Sequence, residues 1–551
     1  DWGEKNVGKR PPAIFTMEVG TGTVDRVEGL SKVISYGQPT WQPDGKGLVV
    51  VGWPHQAENF PQSAMRLGVV YCYNRPCHLW AVGVGPNAAA PRCLTEGQCS
   101  AQSPRFSPDG KTLVFLSWEE AVKTGVHNGT VSLMSLSWPE YSAPARVIVP
   151  AVRRPSHPDA FPGLYSGFGS TLIDAPFLDG DTLVVGTQWR SMMAIITVTL
   201  STGRVECLTP MNGNRPGFSL LAKHGRLLFA VASGPCAPPE VVVAKVGGDS
   251  KVPLAWTALP FTPPDTTSAL GTTVSSALDG LEHHIMQVTP TTGSPDSLIP
   301  FEAVVIRPRG ASAGPTILMP HGGPHHAYPA SYFLPFAFLA SCGYTVILVN
   351  FRGSTGFGED CIQSLPGNIG VNDVADNMDA LAEAIKLGYS DPDRVAVCGG
   401  SHGGFLTGHL VGQHPDAFKA GILRNPVMDL GLMVFCSDIP DWVFVEGWGT
   451  EEGMRKFKPR PDPKDLDRFY EVSPIRYVEQ VKAPLLFMLG AQDMRVPWND
   501  AKHYISTLNS RDGAPDVATW LFPEDSHALD RPQTEFEQWL NTVAWLKEHV
   551  P

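Results

Sequence analysis

The sequence predicts two parts in series: repeated antiparallel β-sheet units over residues 1–270, and a mostly parallel sheet covered by helices over residues 271–551. Three observations predict this. A proline-rich turn motif recurs in the first half, each time ahead of an apolar run. The second half alternates continuous apolar strands with helical stretches. Near Ser275 the pattern changes from one regime to the other.

The repeat comes first in chain order. Gln38-Pro39-Thr40-Trp41-Gln42-Pro43-Asp44-Gly45-Lys46 runs into Leu48–Val51, and Ser103-Pro104-Arg105-Phe106-Ser107-Pro108-Asp109-Gly110-Lys111 runs into Leu113–Leu116, 65 residues later. Ala175-Pro176-Phe177-Leu178-Asp179-Gly180 and His224-Gly225 are weaker copies. Proline presets φ, and Asp and Gly accept tight hairpin geometry, so each copy marks a turn between strands. Units of this size that bury their faces only against their neighbours are the signature of a β-propeller. About four units fit before residue 255, after what reads as the last two strands of another, so an incomplete propeller with an open edge is expected. The chain opens at Asp1 rather than Met, which reads as a processed product or a fragment.

In the second half, Phe301–Ile306, Thr316–Met319, Tyr344–Val349, Val395–Cys398, Ala420–Leu423, Leu485–Leu489 and Thr519–Phe522 are strand-like. Helical stretches such as Val374–Leu387 and Phe405–Gln413 lie between them. Continuous apolar strands of this kind are buried on both faces, as in an α/β-hydrolase domain.

Composition narrows the function classes. With 551 residues, 43% hydrophobic and 9% aromatic, the chain can fill more than one core and is not disordered. Its net charge of −12 repels phosphate backbones, so nucleic acid is not an expected partner. The 10 cysteines form no CxxC pair, and several fall in apolar strands as reduced core cysteines do; a cytoplasmic location is expected, with the Asn128-Gly129-Thr130 sequon unused. The run Phe333–Phe351 approaches membrane-spanning length, but Pro335 and Cys342-Gly343 break it into a buried helix and a buried strand. No membrane partner is expected.

Chemistry enters with Val395-Ala396-Val397-Cys398-Gly399-Gly400-Ser401-His402-Gly403-Gly404-Phe405, a strand, a turn and a helix around G-x-S-x-G. Such an elbow lifts a nucleophilic serine, Ser401, clear of the sheet. The acid and base follow the serine in this fold. Asp493 ends the strand Leu485–Leu489 92 residues on, and His527 follows the strand Thr519–Phe522 34 residues further. His527 would take the serine proton, and Asp493 would fix its tautomer. Asp525 and His503 are the alternative acid and base. The loop Met319-Pro320-His321-Gly322-Gly323-Pro324 supplies an oxyanion hole, from the Gly323 N–H and the N–H of His402. His321, His325 and His326 lack accompanying acidic or cysteine ligands, so no metal and no cofactor is expected. Gly353-Ser354-Thr355-Gly356-Phe357-Gly358 has the wrong spacing for a dinucleotide loop and reads as a tight loop over the sheet. His283-His284 reads as surface.

Taken together, HGGP, NFRGSTGFG and GGSHGGF after a propeller resemble the prolyl oligopeptidase family of serine peptidases. Ser364-Leu-Pro-Gly-Asn, Arg424-Asn-Pro-Val and Ser437-Asp-Ile-Pro-Asp-Trp442 are similar to its acylaminoacyl-peptidase branch. The resemblance covers residues 300–551 closely and the first half more loosely. It implies removal of an N-acylated residue from short peptides, a homo-oligomer, and a substrate-carbonyl contact by Arg495, two positions after the acid. No Glu-Glu pair that would hold a free amino terminus is found in the first half. A general oligopeptidase or carboxylesterase on the same scaffold, and an idle interaction protein, remain as other readings.

Overall fold

A computed structural model describes residues 3–6, 8–56, 66–85, 88–140, 144–165, 172–211, 216–247, 253–260, 268–294 and 297–551. Asp1 lies outside them. Among these residues the first half is a hairpin, Phe15–Met17 with Val24–Arg26, and then separate antiparallel sheets in sequence order. One sheet holds Ile34–Trp41, Gly47–Pro54, His78–Gly83 and Arg92–Cys93; the next holds Gln102–Phe106, Thr112–Ser117, Ser132–Ser137 and Arg146–Val149. A third contains Thr182–Trp189, Met192–Thr199 and Val205–Cys207, and a fourth runs from Gly217–His224 to Thr257–Ala258.

The repeated turns fold alike. In the two strong copies Gly45 and Gly110 sit at φ 70° and 69°, and the following Lys46 and Lys111 N–H groups each donate to the Asp side chain at 3.0 Å. Before each turn a left-handed residue, Gln38 or Ser103, sits at a register shift against the next strand. Alternation then buries both faces of the inner sheets. In the second sheet Leu113 and Phe115 join Val49, Val51 and Leu79 of the first, whereas Val114 and Leu116 join Leu183, Val185 and Ile196 of the third. Val184 and Ile195 in turn join Phe218, Leu228 and Ala230 of the fourth. The second and third sheets are each a layer between their sequence neighbours.

The second half is one eight-stranded sheet in the order Leu281–Val288, Phe301–Pro308, Thr345–Asn350, Gly314–Pro320, Ser390–Gly400, Ala420–Arg424, Leu485–Gly490, Val517–Phe522. The first two pairings are antiparallel and the rest parallel. Val305, Leu318 and Ile347 bury into one face, and Val304, Ile317 and Val346 into the other. The run Phe333–Phe351 splits as expected into a helix, Leu334–Ser341, and a strand, Thr345–Asn350. No described helix is long and apolar enough to cross a membrane.

Some expectations need correction. The helices begin earlier than their apolar periodicity suggested, at Asn372 and His402, because the polar residues of each first turn are buried. His283 and His284 are half-buried in an outer strand rather than on the surface, with His284 stacked on Tyr389 at 5.2 Å. The loop Gly353–Gly358 packs against the first half: Gln188 donates to the Thr355 carbonyl at 3.0 Å, and the Arg190 N–H donates to the Gly356 carbonyl at 3.0 Å. A Cβ on Gly356 would fall 2.6 Å from the Arg190 carbonyl oxygen.

Candidate active site

Ser401 sits between the strand Ser390–Gly400 and the helix His402–Gln413, at φ 57° and ψ −123°. A left-handed conformation is costly for a residue with a Cβ, and the close packing of its neighbours enforces it. A Cβ on Gly399 would fall 2.1 Å from the Gly403 carbonyl oxygen, one on Gly403 2.3 Å from that of Pro320, and one on Gly404 2.5 Å from Pro426 Cβ. Each glycine of the motif is therefore a point of backbone contact. The Ser401 N–H is tied to the Arg424 carbonyl at 3.0 Å.

His527 Nδ1 lies 2.7 Å from Asp493 Oδ2. The other Asp493 oxygen accepts the N–H groups of Arg495 and Val496, both at 2.8 Å, so the carboxylate is locked by its own loop. Asn425 holds the partner loop by donating to the His527 carbonyl at 3.0 Å, and its side-chain oxygen accepts the Gly490 N–H at 2.8 Å. The alternatives fall elsewhere. Asp525 bonds Thr534 Oγ1 and the Arg531 N–H, and His503 is a half-exposed helix residue 3.6 Å from Asp429.

Ser401 and His527 line one cavity of about 270 Å³, with Gly322, Gly323, Trp442 and Arg495 also in its wall. Trp442 Nε1 donates to the Gly323 carbonyl at 3.1 Å, which turns the Gly323 peptide and fixes the loop. His402, which opens the elbow helix, buries its ring against Asp373 at 2.8 Å. The neighbouring histidines are structural. His321 stacks on Phe351 at 4.3 Å and meets Ser354 Oγ at 2.7 Å, while His325 pairs with Glu446 at 3.0 Å. Burial holds His321 well below its ordinary pKa and brings His326 down to about 4, so both are neutral near pH 7. No Asp or Glu is in the described wall of this cavity.

Arg495 reaches the cavity from a rigid position. Its Nε and Nη2 form a fork on Asp438, each at 3.0 Å, and Nη1 donates to the Val70 carbonyl at 2.6 Å. Those bonds use three of five guanidinium N–H groups. Burial opposes its charge, but Cys72, Asp438 and Glu4 outweigh that and raise its pKa.

The sequence reading missed how the first half completes this site. Tyr71, Tyr73, His127, Asn128 and Gln188 line the cavity. Glu4 is buried, and its carboxylate accepts the N–H of Met494 at 2.9 Å and that of His527 at 3.2 Å. Its own N–H donates to Asp438 at 2.8 Å. Partners more than 400 residues apart leave no local pattern in a sequence. The Asn425 and Trp442 positions did carry a signal, as parts of the Arg424-Asn-Pro-Val and Asp441-Trp442 motifs.

Comparison with known proteins decides the family. Residues 1–269 match the family described as "Acylamino-acid-releasing enzyme, N-terminal domain", and residues 330–551 match the "Prolyl oligopeptidase family". The acylamino-acid-releasing enzyme 1 of Oryza sativa subsp. japonica is 38% identical over 578 aligned residues, covering 100% of this chain and 72% of that protein. The chain belongs to the acylamino-acid-releasing enzymes, serine peptidases of the prolyl oligopeptidase family. The Homo sapiens acylamino-acid-releasing enzyme is 32% identical, covering 100% of this chain and 71% of its own. Among solved structures, a Mycobacterium tuberculosis puromycin-hydrolyzing peptidase has a TM-score of 0.65 at 19% identity, over 98% of this chain and 83% of that one. The Pyrococcus horikoshii acylaminoacyl peptidase has a TM-score of 0.64 at 16% identity, over 98% and 85%. These distant structures share the fold.

Proposed function

We propose that this chain hydrolyses the bond after the first, N-acylated residue of short peptides and releases an N-acyl amino acid. Ser401 is the nucleophile, His527 the base and then the acid, and Asp493 the residue that orients His527. The observation that carries the reading is the 2.7 Å His527–Asp493 contact beside a serine held at φ 57° in the same cavity. Ser401 Oγ attacks the carbonyl carbon of the acylated residue as its proton passes to His527 Nε2. The oxyanion is met by the N–H groups of Gly323 and His402. Collapse expels the peptide amine, protonated by His527, and leaves an acyl-enzyme that water cleaves by the same steps.

The preference for a blocked terminus follows from charge. A free ammonium would enter a wall with Arg495 and neutral imidazoles and without a carboxylate among the described residues. A neutral acyl amide can accept from the remaining Arg495 N–H groups and rest against Val427, Met433 and Ile439. The sheets of residues 1–270, stacked face to face in sequence order, are blades of a propeller that covers the hydrolase domain of residues 271–551. Cytoplasmic short N-acylated peptides are the substrate class, and a homo-oligomer is the working assembly.

Ser401→Ala tests the assignment. Turnover of an N-acetyl-alanyl anilide should fall by about 10³-fold or more with the melting temperature retained. Near-normal turnover by the folded variant would overturn it.

A further inference from the structure

Beside the active-site cavity lies a second one, of about 560 Å³, with Lys9, Arg10 and Arg66 in its wall. Tyr73 lines both, so the two cavities share a partition. Cys72 faces the second cavity and His127 the first. Within the partition Cys72 Sγ lies 3.4 Å from His127 Nδ1, and His127 Nε2 lies 3.2 Å from Asp441 Oδ2. Arg75 pins that carboxylate from the other side at 2.6 Å. A thiol, an imidazole and a carboxylate are thus in line, separate from the Ser401, His527 and Asp493 group.

We propose that Cys72 is a reactive thiol that forms a mixed disulfide with small anionic disulfides entering the basic cavity, and that the adduct weakens substrate binding through Arg495. His127, oriented by Asp441, favours the ionised sulfur, as an imidazolium beside a nucleophilic cysteine does. Burial by itself would raise the Cys72 thiol, yet the charges of His127, Arg75 and Arg495 hold it below its ordinary value. Burial likewise opposes a charged His127, but Cys72 and Asp441 bring it up to about 9. The step balances without a further oxidant. The Cys72 thiolate attacks one sulfur of the reagent, the reagent S–S bond breaks, and the departing thiolate carries off the electron pair. Lys9, Arg10 and Arg66 favour carboxylate-bearing reagents. The link to the substrate site is short: Sγ is 3.3 Å from the Val70 carbonyl oxygen, which also accepts from Arg495 Nη1. A group added to Sγ crowds that carbonyl and loosens Arg495. This coupling rests on the Arg495 role proposed above; the chemistry of the thiol does not.

The experiment treats the reduced full chain, carrying Cys436→Ser to remove the exposed thiol, with glutathione disulfide and maps adducts by peptide mass. Cys77 is the internal control: it is fully buried, and burial pushes its thiol up to about 12. Cys72 should be labelled about tenfold or more faster than Cys77, and faster by glutathione disulfide than by the cationic disulfide cystamine. Cys72 labelling should level off at a lower pH than Cys77 labelling, given that His127, Arg75 and Arg495 face the sulfur. His127→Gln should slow it about tenfold and move that plateau to higher pH; circular dichroism reports whether that variant folds, and the Cys72–Cys77 comparison needs no variant. The adduct should raise KM for an N-acetyl peptide severalfold, reversibly with dithiothreitol, and Cys72→Ser should abolish both adduct and change. Equal labelling of Cys72 and Cys77, or preference for cystamine, overturns the site. An adduct that leaves KM unchanged overturns the coupling to Arg495 while leaving the Ser401 assignment to its own test.

Discussion

The site is built from carboxylates whose second oxygen is already engaged. Asp493 gives one oxygen to two backbone N–H groups and the other to His527, so its removal disturbs the histidine more than the pocket. Asp493→Asn should therefore lower kcat by roughly 10⁴-fold with little change in KM, by leaving His527 in the wrong tautomer. Asp525→Asn should act on stability instead, because its partners are Thr534 and the Arg531 N–H. Steady-state kinetics of the two variants, with their melting temperatures, checks the choice of acid. Arg495→Ala should raise KM for an acyl-peptide more than for a small p-nitrophenyl ester, which lacks the additional carbonyl. It also leaves Asp438 buried without its cation, so a loss of stability of about 3 kcal/mol is expected beside the kinetic effect.

Among the elements, the repeated hairpins and the elbow use glycine for different reasons. Gly45 and Gly110 have the same positive φ, but a Cβ on Gly45 meets open space, whereas one on Gly110 would lie 2.7 Å from Pro43 Cβ. Gly45→Ala should cost about 1 kcal/mol, the conformational term alone, and Gly110→Ala clearly more. Urea unfolding of the two variants separates conformation from packing. These hairpins and the elbow were legible in the sequence because their information is local: Pro-Asp-Gly-Lys fixes a turn, and G-x-S-x-G between a strand and a helix fixes another. The Asp493–His527 contact was legible because each residue lies in the loop after a recognisable apolar strand. Glu4 and the Asp373–His402 pair were not, since each acts across elements whose proximity only the folded chain creates. The helix starts at Asn372 and His402 were hidden by polar first turns that are buried by contacts from elsewhere.

At the scale of the molecule, the first half is part of the site as well as its cover, because it supplies Glu4, Tyr71, His127 and the Val70 carbonyl. Its buried histidines also tie stability to pH. Burial lowers His326 and His409 to about 4, below an unfolded value near 6.5. The unfolded chain therefore binds more protons between those values, so their contribution is whole above about pH 6.5 and is lost as pH falls toward 4. His127, raised to about 9, works in the opposite sense: its contribution is whole below about pH 6.5 and is lost as pH rises through 9. The Cys72 thiol beside it, held below its ordinary value, offsets that loss, so melting temperatures should fall by several degrees from pH 7 to pH 5 and change little from pH 7 to pH 9. The central claim is that the same architecture presents an acyl-peptide site with no carboxylate for a free amine among the described residues. The most direct measurement is kcat/KM for one short peptide in N-acetylated and free-amine forms. The account predicts at least about tenfold preference for the acetylated form, and equal or reversed values would contradict it.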